Sequence, residues 1–264
     1  MNITYNSPGL SDYYSHNRFK YSHFYPSERL ALDLVAPGPT TTILDIGCAC
    51  GGLGLALNEQ FGCCQYTGLE IHAHAAELGG RLVEGFGGRV IAGDVLKGVT
   101  LLDPAQTFNL VVSLSAVDWN EQIRENIRAA WNFVADGGVL LMTMRLHPRI
   151  CLENISDSFQ STTPISGGGS EVAPYIIVSV PKAVQFAKSL GATQVDVFGY
   201  WGSPSETAQT SVKECIFASA VLRKGLGGNQ HTKFVVHSPP SLVEQVRRIH
   251  TKNEEARSSS TNVS

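Results

Sequence analysis

The residues best suited to chemistry lie between Ile43 and Leu57, in the run ILDIGCACGGLGLAL. A short apolar segment carries Asp45, a glycine-rich turn follows at Gly47-Cys48-Ala49-Cys50-Gly51-Gly52, and a helical pattern begins after it. A strand that passes through such a turn into a helix leaves backbone N–H groups aimed beyond the helix start, where they suit a polar organic ligand. Two more acids stand at the ends of predicted strands, Glu70 after Gln65–Leu69 and Asp94 after Gly87–Gly93. A dinucleotide fingerprint reads G-x-G-x-x-G, with an acid about 20 residues on. Ala49 replaces the second glycine, the one that lets backbone approach a pyrophosphate, so the turn argues against a dinucleotide. Asp45 stands where the exit of a buried strand normally carries an apolar residue. Its carboxylate can accept a hydrogen bond from an amine, or hold turn N–H groups through water. The plainer alternative for Glu70 and Asp94 is that each caps the helix after it.

Further candidates are His147, directly after the fifth apolar run, and Arg145 just before it. The imidazole can take a proton and the guanidinium can clamp an anion through two hydrogen bonds; the alternative is that both anchor a surface lid. Upstream, Tyr13, Tyr14, His16, Asn17, Arg18, Tyr21 and His23 crowd together. They read as a cap over a substrate pocket, with His16 a second candidate base and Tyr14, Arg18, Tyr21 and His23 substrate contacts. The bland alternative is a loop buried against the sheet. After the fourth run, Ser115 and Trp119 suit a pocket wall, while Asp118 suits either that wall or the N-cap of the next helix. Tyr200 and Trp201 read as packing an insertion onto the sheet, with one side of the acceptor site as the alternative, and Ser156, Ser158, Gln160 and Glu171 as polar candidates for substrate contact.

These residues need a frame, and the pattern supplies one. Strands at Ile43–Ile46, Gln65–Glu70, Gly87–Asp94, Phe108–Ser115 and Gly137–Leu146 alternate with helical stretches, one with Ile71, Ala75, Leu78 and Leu82 on one face and another with Ile123, Ile127, Trp131 and Val134. The almost continuous apolar run of the fifth strand suits a central parallel strand covered on both faces. PKAVQFAKSLG reads as a helix ended by Gly191, ATQVDVFGYWG as a strand, and KECIFASAVLRK as the last strand. The fold class expected is α/β: a Rossmann-like, seven-stranded, mostly parallel sheet with helices on both faces, whose ligands gather beyond the carboxyl ends of the strands. Residues 1–26 form the N-terminal cap, 27–224 the main domain with 147–180 as an insertion or lid lacking a core of its own, and 225–264 a polar tail in which Ser241–His250 forms a short helix. Leu30, Leu34 and Ala31 dock the helix that follows Pro26.

Composition narrows the function. At 43% hydrophobic residues, 264 residues bury a full core. A net charge of -3 creates no general field for nucleic-acid phosphates. The N-terminus lacks a signal-peptide core and no run of about 18 apolar residues occurs, so a soluble, cytoplasmic protein without membrane contact is expected. The six cysteines, at 48, 50, 63, 64, 151 and 215, lack the paired spacing of a zinc site and read as reduced and mostly buried.

The pattern D-x-G-x-x-x-G at Asp45–Gly51, preceded by Ile43-Leu44, resembles the first motif of the class I S-adenosylmethionine-dependent methyltransferases. That family usually carries Gly where this chain has Ala49. The resemblance continues at Glu70 and at Gly93-Asp94 and covers roughly residues 27 to 224. It implies S-adenosylmethionine as cofactor, with S-adenosylhomocysteine as product. The implied holders are Asp45, Gly47, Cys48, Ala49 and Gly51 in the turn, Glu70 with Ile71 at the ribose, Gly93, Asp94 and Val95 at the adenine, and Ser113 at the fourth strand.

Members that methylate base amines carry Asn or Asp followed by Pro-Pro and an aromatic after the fourth strand, and cytosine C5 enzymes carry a Pro-Cys pair; SLSAVDW matches neither. Magnesium-dependent relatives need acids after the fourth strand and an Asp-Asn pair after the fifth, where this chain has Met144-Arg145-Leu146-His147. The expected reaction is therefore metal-free, in-line methyl transfer to a small-molecule acceptor, with oxygen the favoured atom. Transfer to nitrogen of a metabolite or peptide, and a non-catalytic cofactor-binding protein, are the alternatives. The oligomeric state is not legible.

Overall fold

The structure is a computed structural model that describes residues 17–100, 102–103, 105–162, 171–226 and 231–237. Five parallel strands, β1 (Thr42–Ile46), β2 (Gln65–Glu70), β3 (Arg89–Ala92), β4 (Phe108–Ser113) and β5 (Val134–His147), alternate with helices α1 (Pro26–Val35), α2 (Gly52–Phe61), α3 (Ala73–Val83) and α4 (Ile123–Asn132). Beyond β5 come β6 (Ser158–Thr162), β7 (Glu171–Pro174), β8 (Val178–Ser179), α5 (Val180–Ser189), β9 (Ala192–Gly202), β10 (Ala208–Thr210), β11 (Cys215–Lys224) and β12 (Lys233–His237).

The main sheet has the order β12-β9-β11-β5-β4-β1-β2-β3. Only β11 runs antiparallel to its neighbours, so the seven expected strands form a mostly parallel Rossmann-like sheet. Two additions went unforeseen. Strand β8 pairs with the end of β5, and β12 pairs in parallel with β9. The second corrects the expectation that everything after Lys224 is polar tail. Asp196 of β9 is buried, and His237 of β12 meets it at 2.9 Å while stacking on Phe198. A buried carboxylate needs such partners, and the alternating Phe234 and Val236 supply an edge strand to carry one. The proposed helix at Ser241–His250 lies outside the described residues.

Apolar side chains cover both faces. Ala31, Leu32, Leu53, Leu57 and Val83 of α1 to α3 pack with Ile43, Leu110 and Leu141 on one face. Ile123, Ile127, Trp131 and Ala187 of α4 and α5 pack with Leu44, Val111 and Leu140 on the other. Two helix faces differ from the expected ones. Helix α1 docks through the fully buried Ala31 and Leu32, while Leu34 is exposed. Helix α3 buries Ala75, Ala76, Gly79 and Val83 rather than Leu78 and Leu82. The reason is close approach: a Cβ on Gly79 would lie 3.0 Å from the carbonyl carbon of Cys50, so a small-residue face lets α3 press on the glycine turn. Val134 opens β5 instead of extending α4.

The insertion is more than a lid. Strands β6 and β7 join β10 in a three-stranded antiparallel sheet, and Tyr175, Ile177, Val212 and Cys215 form a small cluster of their own beneath it. This corrects the expectation of an insertion without a core. All six cysteines are free; Cys64 is exposed and Cys151 half-buried. No described helix is long and apolar enough to cross a membrane.

Candidate active site

Parallel strands with helical crossovers put every strand's carboxyl end at one rim, and a cavity of about 600 Å³ opens there. Registry brings the acids together. Asp45 pairs with Gly68 of β2 on one side and Val112 of β4 on the other, and Glu70 pairs with Ala92, from which Asp94 is two residues further on. Asp45, Gly47, Cys48, Ala49, Glu70, Ile71, Gly93, Asp94 and Val95 all line the cavity.

The turn is held by its own strands. Gly47 and Cys48 donate their N–H groups to the Leu69 carbonyl at 2.8 and 3.3 Å, and Gly51 donates to Cys48 at 2.9 Å. Gly47 has φ +71°, and a Cβ there would fall 2.5 Å from that of Ala116, so only glycine lets the loop after β4 close on the turn. Ala49, the residue in place of the family's glycine, has φ +48°. A left-handed alanine is strained by roughly 1–2 kcal/mol, and its N–H is held by Glu70 Oε2 at 2.9 Å. Gly51, at φ +74°, starts α2 but is not part of the cavity lining; Cys50 and Gly52 are.

The carboxylates differ in their surroundings. Asp45 is buried and accepts the Tyr66 hydroxyl at 2.7 Å. Burial, reinforced by the charge of Glu70, pushes its pKa up to about 7, while the Tyr66 hydrogen bond and Arg18 pull it down. Glu70 is also raised by burial, partly offset by the N–H groups of His72 and Ala49. Asp94 accepts the Leu96 N–H at 2.9 Å and so caps the short turn after β3. Capping and ligand contact are compatible, because a carboxylate has about four lone-pair sites. Ser113 differs from its expected role: it is fully buried, donates to the Ile46 carbonyl at 3.2 Å and is absent from the cavity lining.

The remaining candidates separate. Ser115 and Trp119 line the cavity; Ser115 holds φ +54° with its N–H on Thr143 Oγ1 at 2.6 Å. Arg145 does not line it. Its guanidinium is buried, lies 3.8 Å from the centre of the Tyr175 ring and 4.5 Å from that of Trp119, meets Asp118 Oδ2 at 3.2 Å and donates to the carbonyls of Ile176 and Asp118. Asp118 is thus its counter-ion and not a helix N-cap. His147 does not line the cavity either, and its Nδ1 accepts the N–H groups of Arg149 and Ile150 at 3.1 and 2.8 Å.

In the N-terminal segment, Tyr14 and His16 lie outside the described residues. Asn17 and Arg18 line the cavity, and Arg18 is tied to the buried Glu28 at 2.8 Å, over the Phe24 ring. The Arg18 carbonyl would sit 2.6 Å from a Cβ on Gly52, so this segment crosses the start of α2. Tyr21 turns away, donating to the Arg29 carbonyl and Asp33, and His23 is exposed; neither lines the cavity, which corrects both as substrate contacts.

Sequence reasoning missed Phe24, Asn120, Asn126, Ser161 and Thr207, all of which line the cavity, whereas Gln160, a polar candidate in the insertion, does line it. Ser156 and Ser158 do not; Ser158 is spent on the Tyr175 carbonyl. Tyr200 stacks on Phe217, and Trp201 stands exposed. Thr207 had no sequence signal, since it meets β6 only because β10 returns to it across the chain.

Residues 44–140 match a family model described as a methyltransferase domain. Among solved structures, the N-terminal domain of EvdMO1 with SAH bound superposes with a TM-score of 0.52 at 18% identity, covering 75% of this chain and 81% of that one. The YcgJ protein from Bacillus subtilis gives 0.52 at 12%, over 76% and 99%. A putative S-adenosylmethionine-dependent methyltransferase from Listeria monocytogenes gives 0.50 at 12%, over 75% and 99%. At these identities the likeness is one of fold. No curated protein sequence matches the chain. Residues 44–140 thus match a methyltransferase-domain model, and the chain shares the fold of solved S-adenosylmethionine-dependent methyltransferase structures.

Proposed function

We propose that this protein transfers a methyl group from S-adenosylmethionine to an oxygen of a small acceptor, without a metal. The observation that carries the reading is the convergence of Asp45, Glu70 and Asp94 with the glycine turn on one wall of a single cavity, with Trp119, Gln160 and Thr207 on its lining as well. The buried carboxylates fit the donor's chemistry: Asp45 suits its ammonium group, Glu70 its ribose hydroxyls and Asp94 its adenine amine. The turn has no second glycine for a pyrophosphate, and this donor has no phosphate. When bound, the donor supplies a methyl carbon on a cationic sulfur, so a C–O bond forms as the C–S bond breaks and the electron pair stays on sulfur.

The protein's own task is then to align the acceptor and exclude water, which lowers such a barrier by roughly 7–11 kcal/mol in well-oriented systems. Ser115, Trp119 and Gln160 serve that alignment. Asp118 pairs through Oδ2 with Arg145. With His147 committed to a turn, the acceptor's proton is assigned to His16, the neighbour in sequence of the cavity-lining Asn17. The EvdMO1 domain was also crystallised in the presence of SAH and D-fucose, which puts sugars in the acceptor panel. The test combines calorimetry of S-adenosylhomocysteine binding with a mass-spectrometric screen for acceptors that gain one methyl group. Binding together with an O-methylated product is expected; absence of binding to folded protein defeats the reading.

A further inference from the structure

The part of the cavity outside the glycine turn has a chemistry of its own. It is carried by the three-stranded sheet through Gln160, Ser161 and Thr207, and by Ser115, Trp119 and Asn120 after β4. These positions are bound to each other through a preformed network. The Tyr175 N–H donates to Ser158 at 3.0 Å and the Ile176 N–H to Asp118 at 3.2 Å, while Tyr175 packs edge-on against Trp119 at 5.8 Å. Ser161 donates its N–H to the Thr207 carbonyl at 3.2 Å. Trp119 and Gln160 therefore belong to one rigid frame held by Arg145, which is the kind of support a recognition site requires.

The charges lie elsewhere. Among the described residues that line the cavity, the acids are Asp45, Glu70 and Asp94, all at the ends of β1 to β3, and the guanidinium of Arg18 is engaged by Glu28. The small sheet and the loop after β4 instead offer amides and hydroxyls, each able to donate and to accept, beside a flat indole. Hydroxyl groups on a ligand have the same double capacity. Among the described residues of that part of the cavity, an ionised ligand group would lose water and gain no counter-charge, which is strongly unfavourable.

We infer that the methyl acceptor is an uncharged ring bearing several hydroxyls, a neutral sugar or glycoside, with its C–H face on Trp119 and its hydroxyls on Gln160 and Thr207. Gln160 and Thr207 are the specificity-determining residues. This rests on the methyl-transfer reading above. One ring hydroxyl oxygen forms the new bond to the methyl carbon, the methyl–sulfur bond breaks with its pair going to sulfur, and the hydroxyl proton leaves to base or solvent, giving a methyl ether and S-adenosylhomocysteine.

The experiment is calorimetry on the full chain with S-adenosylhomocysteine, titrated with a panel of neutral monosaccharides and methyl glycosides, the matching uronic acids and the matching amino sugars. Neutral members are expected to bind, and their charged counterparts to bind at least about tenfold more weakly. Gln160→Ala and Thr207→Val should each weaken neutral binding about five- to tenfold, one hydrogen bond's worth, with S-adenosylhomocysteine affinity retained as evidence of fold. Gln160→Glu should move preference toward the amino sugars. Equal or tighter binding of a charged form, no binding by any neutral member, or indifference to both Gln160 and Thr207 substitutions overturns the inference. Those outcomes leave the methyl-transfer reading standing if S-adenosylhomocysteine binds; failure of that binding defeats the reading itself.

Discussion

Glu70 holds the N–H of Ala49 on one carboxylate oxygen and the N–H of His72 on the other, each at 2.9 Å. A single side chain at the end of β2 thus fixes both the left-handed residue of the glycine turn and the start of α3. One residue of the cavity wall therefore ties the glycine turn to the start of the next helix.

Removing that carboxylate should cost binding more than fold. Glu70→Ala loses charge-assisted hydrogen bonds worth about 1.5–3 kcal/mol each, so S-adenosylhomocysteine affinity is expected to fall by about 100-fold in calorimetry. A loss under about threefold would remove Glu70 from the cofactor site.

Ala49 carries strain that glycine would not. Because its φ is +48°, Ala49→Gly relieves left-handed crowding, although the unfolded chain gains freedom, and a net stabilisation of about 1 kcal/mol is expected. Denaturant unfolding measures it, and a destabilised variant would contradict the strain.

Cofactor affinity should depend on pH through Asp45. With a pKa near 7, its carboxylate is protonated below neutrality, so affinity for an ammonium-bearing ligand should fall about tenfold per unit as pH drops below 7. Stability runs the other way: the folded protein keeps this proton where the unfolded chain has released it. The carboxyl therefore favours folding at low pH and that contribution declines as pH rises from about 4 to 7. Tyr66→Phe removes a bond that lowers the pKa, and the affinity break should move upward. An affinity profile equally flat in wild type and Asp45→Asn would contradict the assignment.

Arg145 should behave as a structural cation. Arg145→Ala leaves Asp118 buried at 5% exposure without its ion partner, a loss of about 3–5 kcal/mol in unfolding free energy. Lysine should rescue poorly, since it lacks the planar guanidinium that lies against the Trp119 and Tyr175 rings. Full stability of Arg145→Ala would refute the role.

The two histidines separate in kinetics. His147→Ala should keep turnover at saturating substrate, whereas His16→Ala should lower it about 100-fold with unchanged affinity for S-adenosylhomocysteine. The opposite pattern would restore His147 as the base.

Local pattern made much of the frame legible. Strand β9 falls on ATQVDVFGYWG as expected, and α5 stops just before Gly191, which has φ +75°. The docking faces of α1 and α3 were not legible, because Leu34 and Leu82 follow a helical stripe as well as the residues that are buried. Which stripe turns inward depends on how closely the partner backbone approaches, and Gly79 against Cys50 decides it for α3.

The sequence by itself determined the parallel α/β frame, the glycine turn and the three acids, because strand ends and turns are encoded within a few neighbouring residues. Only the tertiary structure decided that Arg145 and His147 serve packing and a turn, that Ser113 is a strand tie, and that Gln160 and Thr207 share a cavity with the acids. Those outcomes depend on partners such as Asp118, Ile176 and β10, which lie far away along the chain and meet these residues only when the sheets have formed.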